Sequence, residues 1–187
     1  MLSVQEFNQL AADAARQALR RCCSSGRWVN AVLAGRPYAD IGMLLAASDA
    51  AVAALSTTEL RKVLAGHPRI GERRAATVRE PESASWSRQE QASVSRAGED
   101  LRRALADGNA AYEERFGHIY LACATGRDAG ELLAFLRSRL RNDHETEWGV
   151  VASELAKINQ IRLRKLLECG ATAGVATGTG GTDERGS

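Results

Sequence analysis

The stretch DHETEWGVVASELAKINQIRLRKLLE, residues 143–168, decides the fold. Trp148, Val151, Leu155 and Ile158 recur in alternating steps of three and four, and Leu166 continues the same face. That is the period of an α-helix with one buried stripe. Asn142-Asp143 stands where an N-cap belongs, so a helix is predicted from there to about Glu168. One residue breaks the pattern. Arg162 lies on the stripe, four residues after Ile158 and four before Leu166. A charge aimed at a core is costly unless something pairs it. Arg162 is therefore a snorkelling side chain at the edge of the face, a partner for a buried carboxylate, or a binder of a substrate anion or carbonyl.

Helical signals fill the rest of the body. Ser3 with Glu6, Ser56 with Glu59 and Asp128 with Glu131 each have the spacing of a capping box. The first opens a stripe through Phe7, Leu10, Ala11, Ala14, Ala18 and Leu19, read as one helix to about Cys23. A short helix is predicted from Arg27 to Leu33, and an apolar one from Ile41 to Leu55. The box at Ser56 starts a helix that ends at Gly66. Gly71 to Ser85 is charged and without period, and reads as loop. Ser87 and Glu90 then open a long helix through Val94, Leu101 and Leu105, with Gly108 breaking it before a helix around Tyr112 to Phe116. The helix capped by Asp128 runs through Leu140.

Composition agrees with an all-α, compact multi-helix bundle. The 187 residues hold 33 Ala and 20 Leu against 10 Val and 5 Ile, so helix formers outnumber β-branched residues. The length fits one domain, or a domain with a tail. A formal net charge of +2 excludes a strongly basic nucleic-acid binder. No run approaches the roughly 18 apolar residues of a membrane span. The acidic start, Met1 to Asp13, does not resemble a signal peptide. The cysteines Cys22, Cys23, Cys123 and Cys169 form no Cys-x-x-Cys pair, which suits a reduced, cytoplasmic chain. Residues 170–187 read GATAGVATGTGGTDERGS, too polar and Gly/Thr-rich to offset their ordering entropy. They are expected to be a disordered tail behind a domain of residues 1–169. The Arg185-Gly186-Ser187 end is not a peroxisomal address.

Two further places invite a functional reading. In Gly66-His67-Pro68-Arg69-Ile70-Gly71, Pro68 pushes His67 out of the helical region. His67 then sits just past a helix C-terminus, whose negative dipole end favours imidazolium and suits a proton donor. A turn with an incidental histidine fits the spacing equally well. In Ser87-Arg88-Gln89-Glu90-Gln91, Ser and Glu three apart are most simply an N-cap. The same helix start would offer N–H groups to an anion or carbonyl oxygen, or let Glu90 orient a histidine.

The order HPRIG, SRQEQ, N-x-x-Y-x-x-x-FG-x-x-x-x-x-CATG and KINQIRL resembles 2-oxo-4-hydroxy-4-carboxy-5-ureidoimidazoline (OHCU) decarboxylase. The pieces are Gly66–Gly71, Ser87–Gln91, Asn109–Gly126 and Lys157–Leu163, joined by the early CCSSGRWV at residues 22–29. The resemblance covers about Phe7 to Leu167. His118-Ile119-Tyr120 departs from it, standing where many members have a more apolar, often proline-containing stretch.

The resemblance implies an all-α homodimer with no metal and no organic cofactor. It implies a small-molecule substrate, OHCU, with no nucleic-acid or membrane partner. The reaction is the third step of urate degradation, in which the substrate loses CO2 and is protonated on one face to give (S)-allantoin. It makes His67 the catalytic residue and proton donor, Glu90 its partner, and Arg162 the group that binds and polarises substrate. It places Pro68, Ser87, Arg88, Gln89, Glu90, Gln91, Tyr120, Leu121, Ala122, Cys123 and Ala124 around the substrate. The chemistry is consistent with this: the substrate's ring carbonyl and imine can hold the electrons left by CO2, so the protein supplies only donors and an acid. Two alternatives are a helical binding module without chemistry and a His/Cys/Glu metal protein, although the latter lacks paired ligand spacing.

Overall fold

The computed structural model describes residues 2–71 and 81–168, so the predicted tail, Cys169 and residues 72–80 of the predicted loop lie outside the described residues. Among the described residues the fold is all-α, with no strand. The order is α1 (Val4–Gln9), α2 (Ala12–Cys22), α3 (Gly26–Ala34), α4 (Ile41–Ala53), α5 (Thr57–Ala65), α6 (Pro81–Glu90), α7 (Ala92–Ser95), α8 (Glu99–Phe116), α9 (Ala129–Arg139) and α10 (His144–Glu168). No single helix among them is long and apolar enough to cross a membrane.

The caps read from sequence are present. Ser3/Glu6, Ser56/Glu59 and Asp128/Glu131 form reciprocal capping boxes at α1, α5 and α9. Asp143 accepts the Thr146 N–H at 2.7 Å and so caps α10. Each box satisfies two N–H groups that the first helical turn leaves unpaired.

Four boundaries differ from the sequence reading, each for a physical reason. The N-terminal stripe is two helices, because Leu10 and Ala11 are extended (ψ 137° and 146°). The carbonyls of Phe7 and Leu10 at that corner both accept from Arg36 Nη1 at 2.9 Å, a distant partner that local period does not reveal. Helix α6 begins at Pro81, inside the predicted loop, and Ser87 lies in its last turn. Proline suits a first helical turn, and Trp86 is the one large apolar residue of α6, so no stripe announces it. The single helix predicted from Ser87 to Leu105 is the end of α6, then α7, then α8, which starts after the extended Gly98. Gly108, read as a break, lies inside α8. A Cβ there would meet Leu136 Cδ2 of α9 at 2.9 Å, so the glycine permits close helix approach.

Two hydrophobic cores result. In the larger, α10 packs across α2 and α4, with α3 between those two. Its centre includes Trp28, Leu44, Val52, Val151, Leu155 and Leu163. The smaller core joins α8 to α9 through Leu105, Tyr112, Phe116, Leu132 and Leu136. The non-helical segment after Gly117 runs between them. Leu121 and Cys123 enter the larger core, while Tyr120, Ala122 and Ala124 enter the smaller. That alternation is the two-residue period of an extended chain.

Candidate active site

A cleft opens where α5, α6, α10 and this extended segment meet. His67, Pro68 and Ile70 line one side; Ser87, Glu90 and Gln91 line a second. Residues Tyr120 to Thr125 form a third, and Ile158, Ile161 and Arg162 of α10 form the floor. Its lining, apolar side chains with a few convergent polar groups, is that of a small-molecule site.

His67 follows the α5 C-cap, Gly66, and its N–H donates to the Leu64 carbonyl at 2.8 Å. The residue is buried. The loop after it is pinned at three points. Asn109 Nδ2 donates to the Ile70 carbonyl at 2.9 Å, the Gly71 N–H donates to Gln91 Oε1 at 3.0 Å, and Arg69 forms a two-pronged ion pair with Glu113. The His-Pro turn is thereby held against α8 and the end of α6.

Arg162 resolves the broken stripe of α10. It is 2% exposed, so it does not snorkel. Its Nε and Nη2 donate to the two Glu90 oxygens at 2.9 and 2.8 Å. Nη1 reaches the Cys22 carbonyl and Nη2 the Ser87 Oγ, both at 3.2 Å. Burial disfavours the guanidinium charge, but the bonds and charge of Glu90 more than offset it, and the pKa of Arg162 is raised. Of the five N–H groups of an arginine, four are engaged, and among the described residues nothing accepts from the fifth, on Nη1.

Ser87 is therefore not an N-cap, and no row of unpaired helix N–H groups stands there. The last turn of a helix leaves carbonyls unpaired instead, and the Ser87 carbonyl accepts the Gln91 N–H at 3.3 Å. The C-terminal ends of α5 and α6 both face the cleft, and their dipoles favour cations there. Glu90 shares the cleft with His67, but its carboxylate is engaged by Arg162.

The structure thus brings His67, Pro68, Ser87, Glu90, Gln91, Tyr120, Leu121, Ala122, Cys123, Ala124 and Arg162 to one cleft. Arg88 and Gln89 are exposed and outside its lining, and Gln89 Oε1 accepts from Lys165 Nζ at 3.0 Å. Tyr120 lines the cleft without offering its hydroxyl, which donates to the Leu132 carbonyl at 3.1 Å. Cys22, Cys23 and Cys123 are buried thiols in no disulfide. Burial pushes the Cys22 thiol up to about 12 and raises Cys123 as well, so neither is a thiolate at neutral pH.

Sequence reasoning missed the charges behind the extended segment. Arg139 (2% exposed) donates to the Leu121 carbonyl and pairs with Glu147 (0%), which also accepts from Tyr112 and Asn142. Glu154 (1% exposed) accepts the Cys123 N–H at 2.8 Å. Glu147 and Glu154 each precede a stripe residue of α10, Val151 and Ile158, by one helical turn, the signal that marked Arg162.

The OHCU decarboxylase family model matches residues 8–164. The 2-oxo-4-hydroxy-4-carboxy-5-ureidoimidazoline decarboxylase of Amia calva is 32% identical over 147 residues, covering 76% of this chain and 81% of that protein. The uric acid degradation bifunctional protein TTL of Arabidopsis thaliana is 24% identical over 145 residues, 78% of this chain. This chain spans only 45% of the length of that bifunctional protein. The fold is that of a crystal structure of OHCU decarboxylase in the presence of (S)-allantoin, with a TM-score of 0.65 and 23% identity over 80% of this chain and 96% of that one. With the family model spanning nearly the whole helical body and the cleft assembled from the same motifs, the chain belongs to the OHCU decarboxylase family.

Proposed function

We propose that this chain is a cofactor-independent carboxy-lyase of urate degradation that converts OHCU to (S)-allantoin and CO2. The observation that carries the reading is the convergence of His67, Glu90 and Arg162. They come from three elements far apart in sequence, yet line one cleft. Helix caps and turns alone give no reason for that meeting.

In this reading the bond between the ring carbon and its carboxylate breaks, and CO2 leaves. The electron pair passes into the adjacent ring C=N, giving an enol-like intermediate. A proton delivered to one face of the ring then yields a single allantoin enantiomer. Arg162 directs its remaining Nη1 hydrogen at the substrate and stabilises the developing negative charge. Glu90 holds that guanidinium in place. His67, at the C-terminal end of α5, is the acid that delivers the proton. Pro68, Ser87, Gln91 and Tyr120 to Ala124 surround the substrate, while Arg88 and Gln89 act at most from the outer face of α6.

Residues 1–169 form the catalytic domain, which works as a cytoplasmic homodimer without metal or organic cofactor. Purified protein incubated with freshly generated OHCU should accelerate its decay, with CO2 released in equal amount, and chelator should not change the rate. Decay at the spontaneous rate would overturn the reading. Light scattering should give the mass of two chains.

A further inference from the structure

The extended segment that walls the cleft is held from behind by two buried charges of opposite sign. Arg139 donates to the Leu121 carbonyl. Glu154 Oε2 accepts the Cys123 N–H at 2.8 Å. Neither charged residue lines the cleft. In an extended chain the polar groups of residues two apart share an edge, and those of the residue between them point to the opposite edge. The Leu121 carbonyl and the Cys123 N–H are therefore one tied edge. The other carries the N–H and the carbonyl of Ala122, a residue that lines the cleft. Among the described residues nothing bonds to either of these groups.

The two charges act on the same two peptide units that present those groups. In the Leu121–Ala122 peptide, a guanidinium draws on the carbonyl, which makes the Ala122 N–H a stronger donor. In the Ala122–Cys123 peptide, a carboxylate draws on the N–H, which makes the Ala122 carbonyl a stronger acceptor. Hydrogen bonds in a row polarise one another in this way, and more so at low dielectric. Glu154 is well built for the task. Lys157 at 2.6 Å and Arg127 at 3.2 Å offset its burial, while Glu147 compensates Arg139.

We propose that Glu154 and Arg139 are positioning residues that fix and polarise Ala122 as a paired donor and acceptor for the adjacent N–H and C=O of a ureide. The pair reads a cyclic or open ureide in the manner of a β-strand edge, and it selects for ligands that keep both groups. This rests on the decarboxylase reading, since OHCU and allantoin are both ureides.

The test uses the full chain labelled with ¹³C and ¹⁵N, titrated with allantoin, alongside kinetics with OHCU. Allantoin should shift the Ala122 amide proton and carbonyl carbon. Glu154→Ala should raise the allantoin Kd and the KM for OHCU about tenfold, the worth of one good hydrogen bond, with a smaller loss in kcat. Glu154→Gln still accepts the Cys123 N–H without the charge, so it should fall between wild type and Glu154→Ala. A merely structural role predicts instead that Glu154→Gln matches wild type in Kd and KM. Unchanged Kd and KM in folded Glu154→Ala, or Ala122 signals that stay still at saturating allantoin, would overturn the proposal. If Glu154→Ala does not fold, the wild-type titration and Glu154→Gln decide. A protein that leaves OHCU untouched but binds allantoin through Ala122 supports the positioning role and overturns the decarboxylase reading alone.

Discussion

A glutamate three residues after a serine is ordinarily read as half of a capping box, and here it is not one. Glu90 and Ser87 lie in the last turn of α6, and both turn toward Arg162. That reverses the expected cost of two substitutions. Glu90→Gln leaves a buried guanidinium without its counter-charge, and should cost about 3 kcal/mol, the lower end for breaking such a pair, because Gln still accepts one bond. Ser87→Ala removes a single acceptor and no cap, so it should cost under about 1 kcal/mol. Urea melts of the two variants check the order; an N-cap at Ser87 would invert it. A second residue sets a pH dependence. His118 is buried against Trp148 at 4.2 Å between ring centroids, edge-on to Tyr112, and near Arg61, Glu147 and Arg139. Burial, more than those charges, lowers its pKa below the usual 6.5. The folded state therefore binds this proton less readily than the unfolded chain does. The contribution is complete above pH 6.5 and is lost as pH falls from there toward the lowered folded pKa. The carboxylates with lowered pKa values, Glu6, Glu59, Glu113 and Asp143, act only below about 4.5, so the windows separate. Stability should decline as pH falls below 6.5 and before the carboxylates titrate, and His118→Phe, which keeps the ring contacts, should flatten that decline. An equal slope in the variant would assign it elsewhere.

At the scale of elements, the packing of α8 on α9 depends on Gly108. Alanine is the better helix former by about 1 kcal/mol. Yet its Cβ would sit 2.9 Å from Leu136 Cδ2, in a residue that is fully buried. Overpacking of that kind costs about 1–3 kcal/mol, so Gly108→Ala should lower the melting temperature, and a rise would show that Leu136 yields freely. The same glycine shows where sequence stops being legible. Its type predicts a break because propensity is local, whereas the reason for it is Leu136, a neighbour 28 residues on. The three capping boxes, the α10 stripe and the Ile41 helix were legible because both partners of each signal lie within one or two turns. Helix α6 was not, since one tryptophan makes no period. For the site, the motif resemblance located His67, Ser87, Glu90 and Tyr120 to Ala124, and the broken stripe located Arg162. The partner of Arg162, and the charges Arg139 and Glu154, were hidden because each bond joins distant elements. Arg88 and Gln89 fell within a matching motif, but a helix presents only part of a five-residue run to one side.

At the scale of the whole molecule, the proposed division is a catalytic body, residues 1–169, and a C-terminal tail that its activity does not need. Residues 170–187 supply almost nothing to dock, and deleting them should leave both melting temperature and turnover unchanged. A large loss in either would mean that they pack on the body or on a partner. The body's central claim is stereospecific protonation by His67. Circular dichroism during turnover tests it most directly, because spontaneous decay of OHCU gives racemic allantoin and no signal. Wild-type protein should produce the signal of (S)-allantoin, and His67→Asn, with an unchanged melting curve, should produce it about 10²–10⁴-fold more slowly. A folded His67→Asn variant that generates (S)-allantoin at a near wild-type rate would contradict the account.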